Sequence, residues 1–230
     1  LRRGPLSLDD ALLLLRSVAA GLAAAHSRSI VHRDLKPTNL FLPSGPDPQP
    51  LTNVRILDFG SARRVRTDPR ATQIGAVVGT PQYMAPEQAR GERGILPAAD
   101  IFALGCVLYE CLTGVPAFVA DSVPGALVRI LFQDPVSPRG FRPDLPPALD
   151  SLLARMMAKD VGSRPAHAGV LLAELSAQAL SGGSALSPPR GELVPPQTAI
   201  RDGEQAIYSV LVAHEPPGEV SVPLSLPPPS

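Results

Sequence analysis

The chain has 230 residues, of which 44% are hydrophobic but only 4% aromatic, and it contains no tryptophan. Its 21 basic and 21 acidic side chains give a formal net charge of zero, so charge provides no argument for a nucleic-acid partner or an anionic membrane. This length and hydrophobicity predict one sizeable domain plus a tail, with a core built from Leu, Ala and Val.

The first predicted element is a long helix that begins at Ser7 and ends near residues 26–29. Ser7 has an acidic residue, Asp10, three positions later, which is typical of a helix N-terminal cap. Apolar residues then recur at helical spacing as far as Leu22. The helix is therefore expected to bury one face in the core.

Two short apolar runs, 40–42 and 54–57, follow this helix and flank a loop rich in Pro, Gly and Asp. They predict a small β-hairpin with a long connection. Residues 61–82 are polar, rich in Gly and Thr and without periodicity, so they are predicted to form a long exposed loop.

The second half of the chain is predicted to be helical as far as about residue 180. The run 100–112 is the most apolar and is expected to be buried on all sides. Three further helices are expected at about 123–133, 147–158 and 166–179.

Beyond residue 180 the composition changes. Residues 181–200 are predicted to be a Ser/Gly/Pro-rich linker. Residues 201–230 are predicted to be an extension with one strand-like run, 206–213, and are a candidate for the start of a second, truncated domain. Residues 1–180 form the main domain in this interpretation.

Two cysteines, Cys106 and Cys111, lie five residues apart in one predicted helix. That spacing puts them on different faces, which is unsuitable for a disulfide or a shared metal, and buried reduced thiols are expected. The sequence shows neither an apolar run long enough to span a membrane nor a signal peptide, so a cytoplasmic location is expected.

A cluster of polar residues interrupts two apolar segments between Val31 and Leu40. Within it, Asn39 opens one strand of the predicted hairpin and Asp58 follows the other, so the two should lie side by side. Their oxygen atoms suit Mg²⁺, which a substrate phosphate would help to coordinate. Asp34 is placed to accept a proton from a substrate hydroxyl or to orient it, and Lys36 to neutralise a transferred phosphoryl group.

Three short motifs then occur in order: HRDLKPTN at 32–39, DFG at 58–60 and APE at 85–87. Together they resemble the catalytic loop, the metal-binding turn and the end of the activation segment of protein kinases. Lys36 resembles the lysine of the serine/threonine class, and the arginine-rich composition suggests a bacterial, Hanks-type member. The resemblance implies an α+β fold, namely the mainly α-helical large (C-terminal) lobe with a small β-hairpin.

The resemblance also implies a role for each residue of the reaction centre. Asp34 would be the catalytic base and Lys36 the contact to the γ-phosphate. Asn39 and Asp58 would bind the metal, and Phe41 would lie beneath the adenine ring. ATP and Mg²⁺ are the implied cofactors, and a protein serine or threonine is the implied acceptor.

The same resemblance implies regulatory residues in the activation segment. Thr80 would contact the catalytic loop and shape the acceptor site. Arg33 beside Asp34 is typical of kinases that are activated by phosphorylation, for which Thr67 and Thr72 are the candidate sites.

Further residues are implied to support the site. Glu87 and Arg164 would form a buried ion pair, and Asp100 would accept backbone N–H bonds from the catalytic loop. His32 and Phe59 would stack as core supports.

A complete kinase also needs a small lobe that clamps the nucleotide, with a Gly-rich loop and a strand lysine. No G-x-G-x-x-G motif occurs, and the chain has only two lysines, Lys36 and Lys159. The chain is therefore expected to lack the small lobe, which would lie upstream, and to be inactive in phosphate transfer without it.

Two other functions stay open at this point: a non-catalytic kinase-like binding module, and a kinase input module of a bacterial regulator linked to a cyclase or ATPase. No functional role is expected for His26, His167 or His214, which stand apart from the motifs.

Overall fold

The computed structural model describes residues 4–43, 50–59, 63–64 and 81–180. The chain divides into two units after Pro188, and all the described residues lie in the first. The predicted fold class is confirmed, because most of the described residues are helical and the strands are only two residues long. The helices of this part of the chain are α1 (Leu8–His26), α2 (Pro86–Ala89), α3 (Ala98–Thr113), α4 (Val123–Phe132), α5 (Pro147–Met156) and α6 (Ala168–Leu180).

Helix α1 begins where the capping signal predicts. The Ser7 hydroxyl oxygen accepts a hydrogen bond from the Asp10 backbone N–H at 3.1 Å, which satisfies a donor left unpaired by the first turn. The helix packs its apolar face against α3 and α6. The residues buried on this face are Ala11, Leu12, Leu14, Leu15, Val18, Ala19, Leu22 and His26.

The predicted hairpin is present as two short antiparallel strands, β2 (Leu40–Phe41) and β3 (Arg55–Ile56). The pairing places Leu40 opposite Ile56, and both side chains are half-buried against the core. The hairpin therefore connects the polar loop before Leu40 with the turn after Ile56.

A second antiparallel pair joins β1 (Ile30–Val31) to β4 (Arg63–Arg64). The prediction of an uninterrupted loop over 61–82 is therefore wrong at 63–64, and also at Pro81–Tyr83, which form a 3₁₀ turn. A two-residue strand has no alternation of apolar and polar positions, so the sequence contains no periodic signal for it.

Helix α3 is the centre of the core, with 14 of its 16 residues buried, as its apolar sequence predicts. It ends at Gly114, whose φ of 78° is the left-handed conformation that favours glycine, and whose N–H donates to the Glu110 carbonyl at 2.8 Å. Helices α4, α5 and α6 agree with the predicted bounds to within two residues at each end.

Candidate active site

The loop between β1 and β2 brings three of the predicted site residues together. The Lys36 ammonium nitrogen lies 2.7 Å from Asp34 Oδ2. The 3₁₀ turn Pro37–Asn39 carries Asn39 back towards Asp34, where its Nδ2 donates to the Asp34 backbone carbonyl at 2.7 Å. The Asp34 and Lys36 side chains are 43% and 28% exposed, so this cluster is accessible from solvent.

Asp58 lies next to this cluster because of the backbone pairing. The Leu57 N–H donates to the Asn39 carbonyl at 2.8 Å, and Asp58 is the following residue. Asp58 adopts a φ of 60°, a left-handed conformation that costs a non-glycine residue about 1–3 kcal/mol. Since Asn39 donates through its amide nitrogen, its Oδ1 is the side-chain atom with the chemistry suited to a cation.

The imidazole of His32 connects the loop that carries Asp34 with the turn at Leu57. Its Nε2 lies 2.9 Å from the Leu57 carbonyl, which can only accept, so Nε2 carries the proton. Its Nδ1 accepts from the Asp34 N–H at 3.3 Å. The His32 and Phe59 rings meet edge to face at a centroid distance of 4.8 Å, so the expected contact is present but the rings are not stacked in parallel.

Asp100, in the first turn of α3, holds the start of the loop 32–39. Its two carboxylate oxygens accept the backbone N–H groups of His32 and Arg33, each at 2.8 Å. The Asp100 side chain is fully buried. Because Arg33 has a φ of 69°, these bonds hold a backbone conformation that is unfavourable by itself.

His26 belongs to the same network, although no functional role was expected for it. Its Nδ1 accepts the Ala168 N–H at 3.1 Å, so Nε2 carries the proton and donates to Asp100 Oδ2 at 2.9 Å. The available signal was its position: His26 continues the apolar stripe that runs through Leu15 and Leu22 of α1. A polar residue on a buried face needs a hydrogen-bond partner, so this position indicated a structural role for the His26 ring.

The expected ion pair is present between Glu87 of α2 and Arg164. Two parallel hydrogen bonds of 2.8 and 2.9 Å join the guanidinium to the carboxylate. The guanidinium also donates to the carbonyls of Ala98, Ala158 and Lys159. These contacts attach the end of the APE motif to the start of α3 and to the segment after α5.

The segment before the APE motif is attached to α3 through Tyr83, whose hydroxyl donates to the Glu110 carboxylate. Burial raises the pKa of Tyr83 well above its usual value, and the hydrogen bond and negative charge of Glu110 raise it further. Tyr83 therefore stays a protonated hydrogen-bond donor.

Four further residues were predicted to belong to the site. Phe41 is 46% exposed on β2, whereas Thr67, Thr72 and Thr80 lie outside the described residues.

Cys106 and Cys111 are buried and form no disulfide, as expected. Burial raises the pKa of the Cys111 thiol to about 12 and that of Cys106 still further. None of the helices in the described ranges has the length and hydrophobicity needed to cross a bilayer.

Comparison with known proteins gives the family. Residues 1–175 match the model of the protein kinase domain. The chain is 42% identical over 169 residues to the serine/threonine-protein kinase PknD of Mycobacterium tuberculosis, which covers 73% of this chain and 24% of the relative. It is 40% identical to PknH of Mycobacterium bovis, over 82% of the chain and 29% of the relative. It is 35% identical to pkn3 of Myxococcus xanthus, over 87% of the chain and 40% of the relative.

The chain thus spans between about a quarter and two fifths of the length of these curated relatives. All three are named serine/threonine-protein kinases, and all three are bacterial. The motifs that carried the resemblance, at 32–39, 58–60 and 85–87, lie inside the matched region. The chain therefore belongs to the protein kinase domain family.

Proposed function

We propose that the chain transfers the γ-phosphoryl group of ATP to serine or threonine hydroxyls of a protein substrate, as part of a longer kinase. The observation that carries the proposal is the contact of Asp34, Lys36 and Asn39 around one accessible carboxylate, with Asp58 beside them. A carboxylate, a lysine and two metal-binding oxygens in one place are what phosphoryl transfer requires.

In this reaction the acceptor oxygen forms a bond to the γ-phosphorus, the bond from phosphorus to the β–γ bridging oxygen breaks, and ADP leaves with that electron pair. Asp34 would orient the acceptor hydroxyl and receive its proton. Lys36, whose Nζ lies 2.7 Å from Asp34 Oδ2, would offset negative charge on the transferred group.

The oxygens of Asn39 and Asp58 fit Mg²⁺, which prefers hard ligands and usually binds few protein groups. When bound there, the ion would neutralise charge on the ATP phosphates. The exposed Phe41 ring on β2 would form the lower face of the adenine site, as the family resemblance implies.

The activation segment supplies the proposed regulation. Phosphate on Thr67 or Thr72 would pair with Arg33 and order the segment, while Thr80 would shape the acceptor site. Mass spectrometry of the active protein should find phosphate at Thr67 or Thr72, and active protein without phosphate at either would reject this mechanism.

The test of phosphoryl transfer uses the full product of the gene that encodes this chain, with ATP labelled at the γ-phosphate and a protein acceptor. Asp34→Asn preserves the size of the side chain but removes the base, so the rate should fall at least about 100-fold. Asp121→Asn makes the same chemical change at an exposed position and should leave the rate unchanged.

Transfer that survives Asp34→Asn would remove this residue from the mechanism. If the full product binds ATP or proteins but transfers no phosphate, the function is that of the non-catalytic binding module.

A further inference from the structure

Gln88, the third residue of α2, uses both ends of its side-chain amide. Its Oε1 accepts the Ala85 N–H at 3.0 Å, and its Nε2 donates to the Arg33 carbonyl at 2.7 Å. Ala85 opens the APE motif, and Arg33 immediately precedes Asp34. A single half-buried side chain therefore joins the end of the activation segment to the catalytic loop across 55 sequence positions.

The peptide groups on both sides of Arg33 are fixed by different elements. Its N–H donates to Asp100 of α3 at 2.8 Å, and its carbonyl accepts from Gln88 of α2. Arg33 has a φ of 69°, a conformation that persists only where the surroundings hold it. The direction of the chain as it enters Asp34 thus depends on both bonds.

We propose that Gln88 is a positioning residue for phosphoryl transfer. Its amide holds Arg33 in the left-handed conformation and keeps the catalytic loop in register with the end of the activation segment. Gln88 acts through Arg33 on the carboxylate of Asp34. This inference rests on the proposed function, because it takes Asp34 as the group that meets the acceptor hydroxyl.

The chemistry of the position is specific to an amide. A glutamate could still accept the Ala85 N–H, but it has no proton to donate and would place a negative charge against the Arg33 carbonyl. A methionine of similar length would make neither bond. Gln88→Glu therefore removes the donor bond alone, and Gln88→Met removes both.

The first experiment measures hydrogen exchange of the backbone amides in this chain. In Gln88→Glu, the Arg33 carbonyl loses its hydrogen bond from the Gln88 side chain. The His32 and Arg33 amides should therefore exchange roughly tenfold faster. The amides of α1 and α3 should keep their parental rates. Gln133→Glu makes the same change at an exposed glutamine and should alter nothing in the loop.

Unchanged exchange at His32 and Arg33 would overturn the proposal. Exchange that rises equally throughout the chain would also overturn it, because Gln88 would then only stabilise the fold. If Gln88→Glu does not fold, Gln88→Met is measured in the same way and should show the same increase confined to the loop.

The second experiment measures steady-state phosphoryl transfer in the full gene product. Gln88→Glu should lower kcat between about 10-fold and 100-fold, since small displacements of a reacting group have effects of this size. The KM for ATP should stay within a factor of about two, because Gln88 acts on Asp34 and not on the nucleotide.

A raised KM for ATP with an unchanged kcat would overturn the role of Gln88. A parental protein that transfers no phosphate would reject the proposed function instead, and the exchange experiment would still decide whether Gln88 holds the loop.

Discussion

At the scale of single residues, the buried ion pair of Glu87 and Arg164 is expected to make a large contribution to the stability of the fold. Their side chains are 4% and 0% exposed. Glu87→Gln would leave the guanidinium charge buried without a carboxylate, so the free energy of unfolding should fall by about 3–5 kcal/mol in urea denaturation. The pair of Arg90 and Glu92 is about half exposed, and Glu92→Gln should cost less than about 1 kcal/mol. Equal effects of the two substitutions would contradict this expectation.

Lys159 is the second residue with an unusual environment. Its Nζ lies 4.1 Å from the centroid of the Phe118 ring and 5.7 Å from that of Phe102, and no hydrogen-bond partner for it occurs among the described residues. Burial lowers the pKa of Lys159 to about 8, although the negative charge of Asp134 opposes that change. Desolvation therefore outweighs the attraction of the Asp134 carboxylate for the ammonium.

The direction of the resulting pH effect follows from proton binding. The ordinary lysine pKa is 10.5, so between about pH 8 and 10.5 the folded chain binds fewer protons at Lys159 than the unfolded chain. The cost of burying the charge is fully present below pH 8 and disappears as the pH rises through this window. The unfolding free energy of Lys159→Met minus that of the parent should therefore decrease from pH 8 to 10.5.

Urea denaturation at a series of pH values measures this difference. Buried thiols and phenols titrate in both proteins, so their contributions cancel in the subtraction. A difference that stays constant from pH 7 to 10.5 would show that Lys159 keeps an ordinary pKa in the folded chain.

At the scale of the elements, α3 and the end of α5 approach each other at Gly105. A Cβ atom there would lie 2.9 Å from Met157 Cγ and 3.1 Å from Met156 Cβ, well inside normal carbon contact. Alanine is a better helix former than glycine by about 1 kcal/mol, but overpacking a core costs about 1–3 kcal/mol. Gly105→Ala is therefore expected to lower the unfolding free energy in urea.

A double-mutant cycle identifies the steric cause. Met157→Ala removes the atom nearest to the added methyl group, so Gly105→Ala should cost less in that background. A coupling energy of about 0.5 kcal/mol or more would support the clash, whereas additive effects would exclude Met157 as its source.

The helices and strands also differ in whether the sequence alone could predict them. In α5 the buried residues recur at positions 149, 152, 153 and 156, which is the helical period itself. Strands β1 and β4 have two residues each and form because Ile30 and Val31 pair with Arg64 and Arg63, more than 30 positions away in the chain. Their pairing is a tertiary contact, which no local pattern records.

At the scale of the whole molecule, the candidate site combines a local motif with distant supports. Asp34 and Asn39 lie within one loop, and the predicted hairpin led to the expectation that Asp58 lies beside Asn39. The bonds from Asp100 and Gln88 to that loop span 55 to 68 positions, and only the family resemblance pointed to Asp100. His26 was missed because its role depends on how three helices pack, and Gln88 because its role depends on how α2 packs against the loop 32–39.

The described core also predicts which part of the chain the fold requires. Helix α6 buries Leu171 and Leu175 fully or nearly so against α1, and the Ala168 N–H at its start binds His26. A chain that ends at His167 would expose that face of α1 and leave the His26 ring without this donor. It is expected to lose the cooperative unfolding transition that a compact domain shows.

Removal of residues 181–230 should have little effect by comparison. The sequence predicts a linker over 181–200 that is too rich in Ser, Gly and Pro to contribute a core. A chain that ends at Leu180 is therefore expected to keep the unfolding free energy of the full chain to within about 0.5 kcal/mol in urea denaturation. A loss well above 1 kcal/mol would mean that residues after 180 stabilise the main domain, and the predicted linker would then have to be assigned to that domain.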